Sequence, residues 1–324
     1  MRVLVLHSDV KPDAPPDELD TLITARAIAA ALEKKGHEAH RAPFVPDPHA
    51  LKTLIADMRA ECVFNMVESV FGEGEFASLA PAMLEKLRVK FTGATAASMS
   101  VTGDKPLAKR ILRAANLPTP DWSEPPEFAG LIETKKYIVK SATEDASLGL
   151  TDESVVMGRD AVLARAETCA KEYGGRWFAE EFVEGREFNV AVLEDETGPT
   201  VLPIAEMRFE NWSPGQPRIV GYAAKWHAGS TEETGTVREF SWGANEQALY
   251  RALSDTAKAA WMLFGLRGYA RVDFRVGPAG DPLILELNPN PSLEPQAGFS
   301  AAAQQAGMSY ADLIGRILEC ADRR

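Results

Sequence analysis

The sequence contains few cysteines and no long apolar run. Its three cysteines, Cys62, Cys169 and Cys320, lie far apart in a chain of 324 residues and form no CxxC pair. This usage argues against a disulfide framework, a zinc site and redox chemistry. No apolar run approaches the roughly 20 residues that cross a membrane. The short apolar stretch at the start runs into acidic residues, so we expect a first strand there, no secretory signal and a cytoplasmic protein.

Positive charge is also scarce. The chain has 35 Lys and Arg residues against 47 Asp and Glu residues, which gives a net charge of −12. The basic residues are scattered along the sequence instead of forming a stripe, which argues against binding to nucleic acid. Any ligand that carries phosphate must therefore be held by a few placed lysines and a metal ion.

Length and composition predict a globular protein of two or three domains, because 324 residues are many for one core. The first 95 residues read as a β/α series, with strands at 2–7 and 62–67, helices at 20–35, 48–60 and 77–87, and a short strand in VKFTG. This pattern is typical of an α/β fold with a parallel sheet. We place a domain boundary near residue 95, where the small-residue run GATAASMSVTG interrupts the pattern.

An acidic, proline-rich loop follows the first strand. Its carboxylates are Asp9, Asp13, Asp17, Glu18 and Asp20. Open α/β sheets present ligand-binding loops beyond the carboxyl ends of their strands, which is where this loop lies. A solvated loop explains any one of these residues at least as well.

The middle of the chain offers two lysines and a small-residue loop to a phosphate ligand. A helix capped by Thr102 or Asp104 includes Lys105 and reaches Asn116, and the strand YIVKSA presents Lys140 near its end. The loop ATEDASLGL can bind phosphates through backbone N–H groups, although it lacks the P-loop spacing. Taken singly, each lysine is better explained by surface solvation.

The second half of the chain alternates strands with one long irregular segment. We predict a helix at 158–173, two strands around residues 184–185, a further strand in PTVLPIAEMRF, and helices at 244–264 and at the end of the chain. Residues 210–242 have no regular pattern, and a loop of that length in a compact protein is usually a lid or a binding loop. We call residues 210–242 the lid segment.

Residues 268–291 read as two strands joined by a tight turn. Alternation separates two faces on each strand. With a turn at 278–281, antiparallel pairing sets Asp273 opposite Glu286 and Arg271 opposite Asn288. Two carboxylates and an amide then share one patch, with Arg271 beside them.

Like charges placed directly opposite each other are destabilising, so a cation is expected between Asp273 and Glu286. An all-oxygen set of this kind suits Mg²⁺ completed by water and phosphate oxygens. The alternative is a solvent-facing hairpin whose charged residues are simply hydrated. We expect Ile284 on the same face as Glu286, and an Asn-Pro-Asn-Pro run follows, so a half-buried, shaped site is favoured.

Several sequence blocks match one known family. They are YARVDFRV and LILELNPNP with QQAGMSYADLIGRILE after them, EEFVEGREFNVAVL, YIVKSA, TGDK before a helix, and YAAKW in the lid segment. Together they resemble the D-alanine–D-alanine ligase branch of the ATP-grasp superfamily, and the similarity runs along nearly the whole chain.

The resemblance implies an α/β protein of the α+β ATP-grasp type. Its three domains would be a Rossmann-like domain with a parallel sheet over 1–95, a central ATP-grasp subdomain over 96–178 and a catalytic domain over 179–324 that carries the lid segment. ATP would lie between the last two, with two Mg²⁺ ions or with Mn²⁺. The substrates would be a small carboxylic acid, which is phosphorylated, and an amine, which then attacks it. Family members commonly form homodimers through the first domain.

The resemblance also assigns roles to individual residues. Lys105 and Lys140 would hold the phosphates, with Ser147 nearby and with Lys225 reaching the γ-phosphate from the lid. Glu180, Glu181 and Val183 would line the adenine, and Glu187 would take the ribose hydroxyls. Asp273, Glu286 and Asn288 would bind the metal ions, and Arg271 would stabilise the transferring phosphoryl group.

Departures from the family fall on the amino-acid side. The glutamate that holds the first ammonium group aligns with Asp17, followed by Glu18. The tyrosine of the lid is replaced by Trp226, and the serine that partners it aligns with Ala146, next to Ser147. We therefore expect a carboxylate–amine ligase that acts on something other than two D-alanines.

Two further interpretations stay open, a genuine D-alanine–D-alanine ligase and a nucleotide-binding protein without catalysis. The retention of Arg271 argues against the second, because that group mainly serves the transition state.

The lid segment also holds Trp212, Trp226 and Trp242, which either pack the lid against the body or contact a substrate. One amine-bearing substrate and one partner larger or more apolar than D-alanine are expected.

Overall fold

The computed structural model describes residues 1–11, 13–144, 147–227 and 229–323, and the side chains of residues 16, 17 and 323 lie outside that description. The strands are β1 (Arg2–His7), β2 (Glu38–Pro43), β3 (Cys62–Met66), β4 (Trp122–Ser123), β5 (Lys136–Ser141), β6 (Val155–Met157), β7 (Trp177–Glu181), β8 (Arg186–Asp195), β9 (Gly198–Val201), β10 (Ala205–Phe209), β11 (Thr236–Glu239), β12 (Tyr269–Val276) and β13 (Pro282–Asn288). The helices are α1 (Pro16–Lys34), α2 (Pro48–Asp57), α3 (Leu79–Leu87), α4 (Ala96–Gly103), α5 (Lys105–Ala114), α6 (Gly158–Tyr173), α7 (Tyr222–Trp226), α8 (Thr231–Gly235), α9 (Gln247–Leu263), α10 (Gly298–Gln305) and α11 (Tyr310–Cys320). None of the helices described is both long and apolar enough to cross a membrane.

The first sheet is parallel, in the order β2-β1-β3. Alternate residues of β1 enter two different cores: Val3 and Val5 pack with α1 and α11, while Leu4 and Leu6 pack with α2 and α3. Burial on both faces explains why β1 reads as a continuous apolar run. The prediction missed β2, because its sequence EAHRAP is neither apolar nor alternating, and VKFTG contributes only a bridge between Phe91 and Val63.

The second sheet is antiparallel, in the order β4-β7-β5-β6, and α6 covers it. The boundary expected between residues 178 and 179 lies inside β7. The division into three domains stays a proposal.

The third sheet has the order β11-β10-β8-β12-β13, with β9 paired to β8. Helix α9 packs against one face, where its Leu253 and Ala257 meet Val190 and Val272. On the opposite face, Ala191 and Tyr269 pack with α1 and α11, and the polar residues of β8, β12 and β13 line a cavity. Strands β7 and β8 belong to different sheets, so the turn at 184–185 connects two sheets instead of closing a hairpin. These sheets confirm the predicted mixed α/β fold class.

The hairpin of β12 and β13 contains a bulge that the sequence did not reveal. Its connection is five residues long, 277–281, instead of the four expected, and the register shifts between Asp273 and Phe274. The two errors cancel at the site, because Asp273 still pairs with Glu286 and Arg271 with Asn288. Beyond the bulge the prediction is wrong: Ile284 faces the core, and Leu285 takes its place beside Glu286.

The lid segment is more ordered than its sequence suggested. It contains α7, α8 and β11, and β11 extends the third sheet by pairing with β10. Ser147 Oγ donates to the Val220 carbonyl at 2.9 Å, and the Tyr222 amide donates to the Leu150 carbonyl at 3.0 Å. The lid segment therefore rests on the small-residue loop that follows β5.

Candidate active site

A cavity of about 1780 Å³ lies where the three sheets meet. It is lined by every predicted site residue whose side chain is described: Lys105, Lys140, Ser147, Glu180, Glu181, Val183, Glu187, Lys225, Arg271, Asp273, Glu286 and Asn288. The side chain of Asp17 and the whole of Ala146 lie outside the described residues. Glu18, the neighbour of Asp17, lines the cavity.

The centre of the cavity is the polar face of β12 and β13. Arg271 holds Asp273 in a bidentate pair, with Nε to Oδ1 at 2.8 Å and Nη2 to Oδ2 at 2.9 Å. Asn288 donates to Asp273 at 3.2 Å and to Glu286 at 3.4 Å. Asn189, which lies opposite Asp273 on β8, donates to it at 2.8 Å. Arg271 and two amides thus converge on the Asp273 carboxylate, and Asn288 links that carboxylate to Glu286.

This donor set fits Mg²⁺. Two carboxylates and an amide oxygen are the hard oxygen ligands that the ion prefers, and Mg²⁺ usually takes few protein ligands and keeps water or phosphate oxygens as the others. No cluster of three or more His, Cys, Asp or Glu side chains suited to a metal occurs among the described residues. A metal site here therefore depends on the Asn288 amide as its third ligand.

The two acids differ electrostatically although they face each other. Burial raises the pKa of Asp273 above its ordinary value, against the opposing effect of Arg271. Burial acts on Glu286 in the same direction, but Lys105, Lys140 and other nearby cations outweigh it and lower the pKa of Glu286. Glu286 is therefore the acid that the cations of the cavity hold in its charged form.

The two lysines predicted to hold phosphate lie on α5 and β5. Lys105 Nζ donates to the Glu144 carbonyl at 2.8 Å, and Lys140 Nζ lies 3.0 Å from Glu180 Oε1. The other oxygen of Glu180 contacts Lys109, which is 1% exposed and also donates to Thr119 Oγ1 at 2.6 Å. Burial lowers the pKa of Lys109 to about 8. Glu180 thus joins one buried lysine to one that faces the cavity.

Two other residues expected at the nucleotide already have partners. Glu181 Oε2 lies 2.7 Å from Lys135 Nζ at the rim. Glu187 is 8% exposed and lies 3.0 Å from Nη2 of Arg275, its neighbour across β8 and β12. Burial raises the pKa of Glu187, and Arg275 opposes that effect.

Lys225 enters the cavity from α7 of the lid segment. Its side chain is accessible to solvent inside the cavity, yet the surrounding protein and Arg271 lower its pKa. Its charge acts on Glu187, Asp273 and Glu286, so the lid is close enough for Lys225 to share the site with the acids of the hairpin.

The three tryptophans of the lid segment have different environments. Trp242 lies outside the cavity: it stacks on Phe188 with ring centroids 5.4 Å apart and donates to the Ile204 carbonyl at 3.0 Å. Trp212 and Trp226 both line the cavity. Packing of the lid therefore accounts for Trp242 and leaves Trp212 and Trp226 as the two lid tryptophans that line the cavity.

The end of the cavity near the first sheet is acidic. Asp20 on α1 and Glu294 after β13 both line it, and burial together with Glu294 raises the pKa of Asp20. Arg238 on β11 lies at this end and donates from Nη1 to the Gln296 carbonyl at 2.7 Å. The contact joins the lid segment to the loop that follows the hairpin.

Sequence reasoning missed several polar residues of the site, and the spacing of two of them carried a signal. Asn189 stands two positions after Glu187 on a predicted strand, and alternation puts both on one face. Lys109 stands one helical turn after Lys105 and shares a face of the helix with Leu112. A lysine on an apolar face of a helix is the signal that could have identified it. Arg238 carried no signal, because β11 lies in a segment without a clear pattern.

The chain matches known proteins over most of its length. A family model described as "D-ala D-ala ligase C-terminus" matches residues 118–319. An uncharacterised protein of Sinorhizobium fredii is 30% identical over 321 residues, which cover 96% of this chain and 90% of that one. The D-alanine–D-alanine ligase of Desulforudis audaxviator is 29% identical over 94% of both chains.

The fold also matches a solved structure. The D-alanine–D-alanine ligase from Bacillus anthracis complexed with ATP aligns with a TM-score of 0.77 and 21% identity. The alignment covers 100% of this chain and 98% of that one.

Proposed function

The chain belongs to the D-alanine–D-alanine ligase family of ATP-grasp enzymes, which are ADP-forming ligases. We propose that it joins a carboxylic acid to an amine, and that the two substrates are not both D-alanine. The observation that carries this proposal is one cavity lined by the residues predicted to hold phosphate and metal ions, with Trp226 in its lining where the resemblance implies a tyrosine. The acid would be activated as an acyl phosphate, which the amine attacks to form an amide.

In this proposal the residues around the hairpin handle the phosphoryl group. Asp273, Glu286 and Asn288 would hold two Mg²⁺ ions, which offset the charge of the phosphate oxygens. Arg271 lies beside Asp273 and would stabilise the transferring group. This arrangement acts by positioning and charge neutralisation, which is what phosphoryl transfer needs from a protein.

Lysines complete the phosphate site from two sides. Lys105 and Lys140 would hold the phosphates from the second sheet, close to Ser147, and Lys225 would approach the γ-phosphate from the lid. A lid resting on the loop at 147–150 would exclude water during the second step. Exclusion matters because an acyl phosphate hydrolyses readily.

The nucleotide would lie along the connection between the second and third sheets. Glu180, Glu181 and Val183 would line the adenine, and Glu187 would accept hydrogen bonds from the ribose hydroxyls. All four line the cavity. The proposal also includes a homodimer formed through the first domain, which light scattering of the purified protein would test.

The amine would bind at the acidic end of the cavity. Asp17 and Glu18 follow the first strand, and Asp20 and Glu294 complete a set of carboxylates that suits an ammonium group. Trp226 supplies one N–H donor and no acceptor, so it cannot replace a tyrosine hydroxyl in a polar network. These differences support a substrate larger or more apolar than D-alanine.

A second candidate is D-alanine–D-alanine ligase itself, which is favoured by the relatives of that name that span nearly all of this chain. Purified protein incubated with Mg-ATP and pools of amino acids and small carboxylic acids would separate the two. We expect ADP, phosphate and a new amide mass that is not D-alanyl-D-alanine. Efficient synthesis of D-alanyl-D-alanine would overturn the substrate proposal, and no ADP formation with any pool would overturn the ligase function.

A further inference from the structure

Arg275 is a buried cation that joins three parts of the nucleotide side of the cavity. It is 4% exposed and pairs with Glu187 at 3.0 Å. Nη1 donates to the Gly185 carbonyl at 3.0 Å, in the connection between the second and third sheets. Nη2 also donates to the carbonyl of Arg218 in the lid segment.

Aromatic rings enclose the same guanidinium group. Its central carbon lies 5.8 Å from the ring centroid of Phe182 and 5.7 Å from that of Phe209. Phe182 belongs to the connection after β7, and Phe209 ends β10 just before the lid segment. Such contacts favour a planar, weakly hydrated guanidinium over an ammonium group.

This arrangement is more specific than neutralisation of one acid requires. One hydrogen-bonded cation is enough to neutralise a buried carboxylate. Proteins in which apolar residues replace such an ion pair are often no less stable. Arg275 instead uses both terminal nitrogens: Nη2 meets the Glu187 carboxylate and the Arg218 carbonyl of the lid segment, and Nη1 donates to the Gly185 carbonyl just before β8. A guanidinium has the fixed fork of donors that such bridging needs, whereas lysine carries one nitrogen on a flexible stem.

We propose that Arg275 is a positioning residue that holds the Glu187 carboxylate for the ribose hydroxyls and ties the start of the lid segment to the same carboxylate. Ribose selection and lid docking then depend on one buried side chain. The inference rests on the proposed function for the role of Glu187 at the nucleotide, and it adds Arg275 to that role.

The test compares the binding of Mg-ADP and Mg-2′-deoxyADP by calorimetry, because neither ligand is consumed. Wild-type protein should prefer ADP by about tenfold, the scale of a hydrogen bond to a charged group. Arg275→Met should bring the preference below about twofold, and Glu187→Gln should do the same. The double variant should lose no more than either single one, because both act on the same contact.

The lid provides a second measurement. Trypsin should cut the lid segment of wild-type protein more slowly when Mg-ADP is present. Arg275→Met should lose most of this protection even at saturating Mg-ADP, because the Arg218 carbonyl no longer has its donor. Arg275→Lys keeps the charge without the fork, so it should retain part of the ribose preference and little of the protection.

Arg186→Met is the matched control. Arg186 lies on β8 of the same sheet, faces away from the cavity and pairs with Glu206 and Glu246 at 2.6 Å each. Its loss should lower the melting temperature and leave both the ribose preference and the lid protection unchanged. If Arg275→Met does not fold, Arg275→Lys and the double variant still decide the result.

Three outcomes would overturn the inference. The first is a wild-type protein that does not prefer ADP over 2′-deoxyADP. The second is an Arg275→Met protein that keeps the preference while Glu187→Gln loses it. The third is an Arg186→Met protein that loses as much of the preference as Arg275→Met does. Each leaves the ligase function intact as long as wild-type protein forms ADP and an amide. Failure of that reaction with normal ribose preference would instead overturn the function alone.

Discussion

Asp273 lies directly opposite Glu286 because one extra residue, Leu285, bulges out of β13 between two regular stretches of pairing. Without the bulge, Asp273 would face Leu285, and Glu286 would pair with Val272 on the face that enters the core. The bulge therefore turns Glu286 into the cavity. Bulges commonly re-aim side chains next to active sites in this way.

Removing either carboxylate should abolish ATP turnover. We expect Asp273→Asn and Glu286→Gln to fold and to lose roughly 100-fold or more in ADP formation, because an amide would replace a charged ligand of the proposed metal site. Turnover would be followed by a coupled ADP assay on the purified variants. Undiminished turnover in either one would contradict the metal assignment.

The same variants should differ in stability when Mg²⁺ is absent. Burial opposes the charge of Asp273, so its neutralisation should leave the melting temperature unchanged or raise it. Lys105, Lys140 and other cations stabilise the charge of Glu286, so Glu286→Gln should lower the melting temperature. Thermal unfolding in EDTA measures both, and a higher melting temperature for Glu286→Gln would contradict the electrostatic description.

The lid segment should be open to proteases without ligand and protected when nucleotide binds. In the part of the chain that the structure describes, hydrogen bonds to the Val220 and Leu150 carbonyls hold it on the loop at 147–150, and the segment joins a sheet at β11. Cleavage within 210–242 should slow at least fivefold with a nonhydrolysable ATP analogue and Mg²⁺, while cleavage elsewhere stays constant. Equal rates with and without the analogue would mean that the lid does not close over nucleotide.

Trp226 should act on the substrate and not on ATP. Because its indole lines the cavity, Trp226→Tyr should weaken the native reaction more than it weakens ATP binding. Trp242→Phe is the control, since Trp242 packs against Phe188 and Tyr250 outside the cavity. It should change stability and leave substrate selection alone. Steady-state kinetics beside ATP titrations would show the difference, and equal losses in both quantities would assign Trp226 to packing.

Lys109 should stabilise the fold through Glu180. Removing one partner of a buried ion pair costs about 3–5 kcal/mol, and Lys109→Met should lie near the lower limit because Lys140 still pairs with Glu180. Lys109→Met/Glu180→Met should recover part of the loss. Lys135→Met, which breaks the exposed pair with Glu181, should cost less than about 1 kcal/mol. Urea unfolding gives all three values, and equal losses for the two lysines would contradict the buried pair.

The sequence was most informative in segments whose apolar residues follow a single regular pattern. Alternation put the charged residues of β12 on one face, and buried strands such as β1 read as apolar runs, whereas the pairs at the site were right only because the error in turn length offset the bulge. The bulge at Leu285 escaped because local sequence does not reveal how register shifts. Strand β2 escaped because tertiary pairing with β1, and not its own pattern, makes it a strand.

The contacts of the site depend on tertiary structure in the same way. The resemblance named Glu180 and Glu187, but not the buried cations Lys109 and Arg275 that hold them. Each of these partners lies far from its acid in the chain and meets it only across packed elements. A sequence pattern can place a residue on a face, whereas the partner on that face becomes visible only in the folded chain.

The central claim is that the enzyme activates a carboxylic acid as an acyl phosphate, and oxygen transfer tests it most directly. The acid identified from the product would be supplied with ¹⁸O in both carboxylate oxygens, together with Mg-ATP and the amine. Attack of one oxygen on the γ-phosphorus and later cleavage of the carbon–oxygen bond by the amine should leave one ¹⁸O in each phosphate released. Phosphate without ¹⁸O, formed at the same rate as the amide, would contradict the account.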